Sequence, residues 1–406
     1  MVDPKLALIP SGYAWQKVFS VLPASGDGDF DFSRNSKATR INKDGFIEEV
    51  ANHIPRLDYT DSSCPSLLLE PQSSNLITYS EDFSHSSWNA GTNCQVDSDF
   101  SISPDGTQNA DKLTAISNTA SRRDVTVSVS ALTYKKASIW IKKGNVHSSS
   151  LIKLIVQGDA AYGFTDDLTI TDNWVRYEIL VPNTDTSTSL ILRVYPTRQI
   201  GGTLGDEILV WGAQLEELSH ATSYIPTNGA TATRLADECN SAGTSDTFND
   251  SEGVLFAEIS ALADEGGVRA ISLNDGSVQN RISIRYNSTS NQIQYQYTVG
   301  SSVQANILAN VVDVKTPHKI AVKYKLNDFE LFIDGISRGT DLVGSIMPSG
   351  TLTKLDINGS GSLDYFYGKT KQVQYYNSAL TDSELEQLTS WTSFSDMAQG
   401  QLYTIE

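Results

Sequence analysis

Residues 281–299 read R-I-S-I-R-Y-N-S-T-S-N-Q-I-Q-Y-Q-Y-T-V. Ile282, Ile284 and Tyr286 alternate with polar residues, and so do Ile293, Tyr295, Tyr297 and Val299. A period of two marks a half-buried strand, because successive side chains point to opposite faces of a sheet. Tyr295 and Tyr297 share a face with Ile293 and Val299, which assigns them to a core. Ile320, Val322, Tyr324 and Leu326 repeat the pattern. Asn327-Asp328 and Asp334-Gly335 then place hairpin turns on either side of the apolar run 329–333.

Upstream the same period recurs at Ala137-Ile139-Ile141, Val175-Tyr177-Ile179-Val181, Leu190-Leu192-Val194 and Ile208-Val210. Turn clusters such as Ser103-Pro104-Asp105-Gly106 and Lys143-Gly144-Asn145 separate these runs. Many short strands with such punctuation predict sandwiches or jelly rolls. One helix signal stands out near the C-terminus. Thr381-x-x-Glu384 is a capping box, and Leu385 and Leu388 follow on one face. The expected architecture is all-β: an N-terminal β module followed by two β-sandwich domains, with one short C-terminal helix. Its boundaries fall at 1–75 for the module, 76–227 for the first jelly roll and 228–250 for a Gly/Ser/Thr-rich linker. The second sandwich takes 251–391 and a terminal extension 392–406. Residues 1–31, with Leu6, Leu8 and the run from Val18 to Leu22 broken by Pro and Gly, read as short strands. They suit either attachment to another chain or packing on their own neighbours.

Between them and the first jelly roll lies F-S-R-N-S-K-A-T-R-I-N-K-D-G-F-I-E-E-V (residues 32–50), continuing to Phe83. Asp44-Gly45 is a hairpin turn. Leu67-Leu68-Leu69, closed by Glu70-Pro71, reads as a short buried strand. Arg34, Arg40 and Arg56 match Glu48, Glu49 and Glu70 in number, which predicts a hairpin stitched by exposed ion pairs of small energetic weight.

The totals exclude several functions. The 406 residues carry 30 basic and 48 acidic side chains, a net charge of −18, so the surface repels a phosphate backbone and nucleic acid is not an expected partner. Three widely spaced cysteines, none in C-x-x-C spacing, indicate neither a disulfide framework nor a thiolate metal site. No secretory signal or membrane-length apolar run is seen, which predicts cytoplasmic assembly without membrane insertion. Gly335–Gly339 spells G-x-S-x-G, but it follows a hairpin turn and leads into no helix, so no nucleophile elbow is expected there. Without a triad context for any histidine, an H-E-x-x-H or a paired-carboxylate signature, the chain is not expected to be an enzyme.

Sugar binding asks for flat aromatic faces beside amides and carboxylates. The candidates are Trp88, Trp140 and Trp174, with Trp211 beside them, in the first jelly roll, and Tyr365 and Tyr367 in the second.

Four motifs carry a resemblance: S-R-N-S-x-A-T-R-I-N-x-D-G-F-I-E (33–48), P-R-L-D-Y (55–59), L-L-L-E-P-Q-S-S-N-L (67–76) and Y-S-E-D-F (79–83), continued at G-A-Q-L-E-E to A-T-R (212–234). Together they resemble a module of tailed-bacteriophage virion proteins of the tail-fibre, spike or capsid-appendage type. Residues 76–227 resemble a carbohydrate-binding-module jelly roll. H-K-I-A-V-K-Y, F-E-L-F-I-D-G and Y-Y-N-S-A-L-T-D-S-E-L resemble a concanavalin-A-like (laminin-G-like) lectin domain. The resemblance implies a virion location, host attachment, and non-covalent binding of neighbouring virion proteins or a host-surface polysaccharide. It further implies a homo-oligomer with a trimer favoured. A capsid decoration without a glycan role and a tail-spike depolymerase are the alternatives. It also implies a structural calcium at Glu81 and Asp82 and no other cofactor, although Ala213-Gln214 stands where such modules often carry aspartates.

Overall fold

The computed structural model describes residues 3–89, 93–118, 121–148, 151–160, 164–197, 202–357 and 364–401. The period-two runs become antiparallel strands, and the fold is all-β apart from two short helices, Asp382–Thr389 and Phe394–Gly400. The first helix carries the expected capping box between Thr381 and Glu384. The second lies in the segment expected to be an extension and is capped by Ser393. No helix of the described residues is long and apolar enough to cross a membrane.

The chain divides into two units that interleave along the sequence. A central unit comprises Ser36–Glu49 and Gln72–Leu235. A terminal unit comprises Met1–Asn35, Val50–Pro71 and Ala236–Glu406.

The central unit holds two five-stranded sheets. One runs Trp88–Asn89, Arg123–Ser128, Ser189–Tyr195, Leu151–Gly158, Phe164–Thr169. The other runs Cys94–Ile102, Gln108–Ala115, Glu207–Glu216, Lys135–Lys143, Val175–Val181. Ala137, Ile139, Ile141, Ile152, Leu154 and Val156 are fully buried in one shared core, as their alternation required. The hairpin Ala38–Ile41 and Ile47–Val50 turns at Gly45, whose φ of 85° is open to glycine at no steric cost. It packs Ile47 against Ala110, Trp211 and Tyr224.

In the terminal unit, a five-stranded sheet runs Ser302–Asn310, Gln292–Val299, Arg281–Tyr286, Arg269–Asn274, Lys354–Asp356. Its buried residues share a core with an eight-stranded sheet built on Glu252–Ala261, His318–Lys325 and Gly368–Tyr376. The N-terminal residues are part of this sandwich. Leu6–Leu8 pairs with Val373–Tyr375, and Leu67–Leu69 pairs with Gly368–Thr370, along one edge of the same strand. Leu6, Leu8, Leu67 and Leu69 are all fully buried. The expected separate module at 1–75 is therefore corrected: its residues are shared between the two units. The reason is that strand 368–376 would otherwise present an open edge, and the two leucine strands satisfy its backbone groups and cover the core.

The expected linker at 228–250 is corrected as well. Ala232–Arg234 pairs with Ser73–Asn75 in the central unit, and Glu238–Asn240 pairs with Phe30–Ser33 in the terminal unit. The arginines expected in exposed pairs also differ. Arg40 does meet Glu48 at 2.6 Å with partial exposure. Arg34 and Arg56 lie completely buried, with Arg34 Nη1 2.9 Å from Asp237 Oδ1 and Arg56 Nη1 2.5 Å from Glu70 Oε2. Arg56 Nη2 also donates to Asp237 Oδ2, which accepts the Glu70 amide at 2.8 Å. Burial opposes charge on Arg56, but the Asp237 and Glu70 carboxylates outweigh it and hold the guanidinium above its ordinary value. Arg34, Glu70 and Asp237 stand directly beside points where the chain passes from one unit to the other.

Candidate functional site

In the terminal unit the alternation that buries Ile282, Ile284, Tyr286, Tyr295 and Tyr297 turns Arg281, Ser283 and Arg285 to the opposite side of the five-stranded sheet. The chain returns to this sheet at Asp364, whose carbonyl accepts the Ala270 amide at 2.7 Å. Phe366 points into the core at 1 % exposure. Tyr365 and Tyr367, one position to either side, therefore lie on the side away from the core. Both are half-buried, and their rings stack with centroids 5.9 Å apart and planes within 6° of parallel. Arg281 Nη1 and Arg285 Nη2 converge on Asp364 Oδ2 at 3.4 and 3.2 Å. Burial, reinforced by Arg281, lowers Arg285 to about 10 despite Asp364. The result is a flat aromatic pair next to hydrogen-bonding guanidinium groups, the chemistry that grips a sugar ring and its hydroxyls.

The tryptophans expected to share this role are placed otherwise. Trp88 is a correction: it is fully buried, its ring tilted on Phe83 at 4.5 Å and its indole N–H donated to the Tyr79 carbonyl at 2.8 Å. An indole inside the first core fills volume and offers no face to a ligand. Trp140 is half-buried among Trp211 and Tyr224, at 5.4 and 5.6 Å, and carries the Arg176 guanidinium 4.4 Å above its ring. Trp174 packs on the same cluster and donates its indole N–H to the Ile102 carbonyl at 3.0 Å.

Glu81 and Asp82 line a cleft of about 320 Å³ in the central unit together with Tyr79, Asp99, Asn109 and Asp111. The fit to calcium fails on their oxygens. Glu81 Oε1 accepts the Tyr224 hydroxyl at 2.8 Å, and Oε2 accepts the Asn109 amide at 3.2 Å. Asp82 Oδ1 accepts the Ser84 and His85 amides, both at 3.0 Å. Among the described residues no group of three or more His, Cys, Asp or Glu is arranged to hold a metal ion. The implied calcium at Glu81 and Asp82 is thus corrected: hydrogen-bond donors engage both Glu81 oxygens and Asp82 Oδ1, and among the described residues no further acidic ligand is arranged with them to complete the shell a hard cation needs.

Asp111 lines the same cleft and carries a signal in the sequence. It shares the strand parity of Leu113 and Ala115, which are fully buried. Its oxygens accept the Phe83 and Asp99 amides at 2.8 and 3.0 Å. Burial outweighs those bonds and pushes its carboxyl up to about 6 from 3.8. With the folded value above the unfolded one, its contribution to stability is fully present below about pH 4 and is lost as pH rises through about 6. The loss is on the order of 3 kcal/mol. Urea denaturation of wild type and Asp111→Asn at a series of pH values checks this. The wild type should lose stability relative to the variant between pH 4 and 6, and parallel curves would refute the assignment.

The G-x-S-x-G letters form no elbow. Gly335 joins Phe329–Ile333 to Ile336–Asp341 in a hairpin, and the Ser337 hydroxyl donates to Glu330 Oε1 at 2.8 Å. His318 is held by Asp334 Oδ2 at 2.6 Å and the Asp313 carbonyl at 3.2 Å.

No family model matches the chain, and no curated protein matches it. Solved structures similar to parts of it include the CBM40 of Ruminococcus gnavus IT-sialidase bound to α2,3-sialyllactose. That likeness has 14 % identity, 35 % of this chain and 84 % of that one covered, and a TM-score of 0.31. Domain 4 of AbnA, a GH43 extracellular arabinanase from Geobacillus stearothermophilus in complex with arabinotriose, is similar at 10 % identity, 43 % and 84 % coverage and a TM-score of 0.32. The heptameric SAP-like pentraxin of Limulus polyphemus is similar at 13 % identity, 35 % and 71 % coverage and a TM-score of 0.30. Each spans less than half of this chain, at identities where no ligand or activity transfers.

Proposed function

We propose that this protein is a non-catalytic adhesion protein that binds a surface glycan through the Tyr365–Tyr367 pair of its terminal unit. The observation that carries this reading is the parallel stack of the two rings on the side of the sandwich away from its core, next to Asp364 and the arginines that meet it. Stacked aromatic faces bind the apolar side of a pyranose, while guanidinium and carboxylate groups bridge its hydroxyls.

The finer reading is a bacteriophage virion protein of the tail-fibre or capsid-appendage type, working in the virion as a homo-oligomer, with a trimer favoured. Its support is the resemblance of residues 33–83 and 212–234. Locating the chain in a particle by electron cryo-microscopy tests it: a tail tip favours receptor binding and a capsid shell favours decoration.

The glycan reading is tested on an array of bacterial surface polysaccharides. The wild-type chain should retain at least one glycan, and Tyr365→Ala combined with Tyr367→Ala should weaken that binding about 30-fold or more, as loss of stacking worth about 2 kcal/mol requires. The melting temperature should stay close to wild type, since both rings lie outside the core. No retained glycan, or a variant that binds equally well, would sink the proposal.

A further inference from the structure

Trp15 is the one exposed tryptophan of the six, at 62 %. It sits at the tip of a two-residue hairpin, since Ala14 pairs with Lys17 and Tyr13 with Val18. The tip is held rigidly. Gln16, at φ 60°, donates its amide to the His53 carbonyl at 2.8 Å and accepts the Phe32 amide on its own carbonyl at 2.9 Å. The Trp15 ring meets His53 edge to face at 5.8 Å.

Beside it lies the four-stranded sheet Tyr13–Ala14, Lys17–Val18, Phe30–Ser33, Glu238–Asn240. Val18, Phe30, Phe32 and Cys239 enter the core from this sheet. The opposite parity puts Lys17, Asp31, Ser33, Glu238 and Asn240 on its other face. Register sets Asp31 across from both Lys17 and Asn240, and Ser33 across from Glu238. Lys17 Nζ holds Asp31 Oδ1 at 2.7 Å, and the Ser33 hydroxyl donates to Glu238 Oε2 at 3.3 Å. Gln16, Asp31, Ser33, Glu238 and Asn240 line a depression of about 290 Å³.

We propose that this face, together with Trp15, which precedes the lining residue Gln16 at the hairpin tip, is a second carbohydrate site that takes a neutral oligosaccharide. The indole supplies the stacking platform for one sugar ring. Asp31 and Glu238 accept hydrogen bonds from its hydroxyls, while the Gln16 and Asn240 amides donate and accept. The charge on the face, two carboxylates against Lys17, selects against uronic and sialic acids, whose own carboxylates it repels. This site is separate from the Tyr365–Tyr367 pair and stands or falls apart from it.

The test is acrylamide quenching of tryptophan fluorescence in the full-length chain. Trp15 is the fluorophore most open to the quencher, so occupancy of its face lowers the quenching constant. The probes are maltohexaose, cellohexaose, chitohexaose and mannohexaose, with hexagalacturonate as the acidic counterpart. At least one neutral hexasaccharide should shield the fluorescence, and hexagalacturonate should not. Isothermal titration of that hexasaccharide into Trp15→Ala and Glu238→Gln should show about tenfold or greater weakening. Binding should be unchanged in the Tyr365→Ala/Tyr367→Ala protein, which separates this site from the other. Shielding by none of the neutral probes, shielding by hexagalacturonate alone, or full affinity in Trp15→Ala would each overturn the proposal.

Discussion

Asp237→Ala is expected to lower the unfolding free energy of the terminal unit by about 3–5 kcal/mol, the range for breaking a buried ion pair from one side. The carboxylate binds Arg34 through Oδ1 and both Arg56 and the Glu70 amide through Oδ2. Its removal takes an ionic partner from two guanidiniums, each with 0 % side-chain exposure, and leaves Glu70 beside Arg56 alone. Arginine cannot escape by losing its proton, so the charge stays and its desolvation goes uncompensated. The penalty is not local. Arg34 also donates to the Ala51 and Ile54 carbonyls at 2.9 and 3.2 Å, so the cluster joins the segments ending at Asn35, beginning at Val50, ending at Pro71 and beginning at Ala236. Urea denaturation measures the effect. A loss below about 1 kcal/mol, the scale of an exposed pair, would show that the cluster is solvated.

Leu6→Ala combined with Leu8→Ala should destabilise the same unit by about 4 kcal/mol or more, since each buried Leu→Ala change costs about 2–5 kcal/mol. Both side chains are fully buried, and their strand bonds the Val373–Tyr375 stretch some 370 residues away in the chain. Hydrogen exchange gives the sharper readout. The Tyr375 carbonyl accepts the Lys5 amide at 2.8 Å, and amides of Val373–Tyr375 should exchange faster in the variant. A terminal segment serving only to attach the chain elsewhere would leave both the stability and the exchange of Val373–Tyr375 unchanged.

These two results concern residues whose chemistry was visible but whose partners were not. Arg34, Arg56 and Glu70 stood out as opposite charges in one motif-rich stretch, and two of the three indeed meet. Asp237, which completes the cluster, lies in a Gly/Ser/Thr-rich segment that looked like a linker. The Tyr365–Tyr367 pair could be named as an aromatic candidate from its composition. That the rings are parallel and outward follows from Phe366 entering the core, which depends on the strands around it. Trp88 went the other way: a candidate for stacking on a sugar proved to be core. Trp15 carried no signal in the sequence, because exposure at a hairpin tip depends on what the rest of the unit leaves uncovered.

The sequence by itself determined the class of the fold, its strand positions, the Asp44-Gly45 and Asp334-Gly335 turns and the capped helix at Asp382–Thr389. Each of these is decided within a few residues by side-chain parity, glycine's access to positive φ, or a reciprocal cap. The tertiary structure alone decided that residues 6–8 and 66–69 complete the sandwich of residues 252–376, that four charges meet in its interior, and which aromatics face water. Parity says which side of a strand is apolar but not which distant strand lies beside it. That choice is made by the joint burial of two apolar surfaces and the pairing of open backbone edges, and it exists only once both are folded.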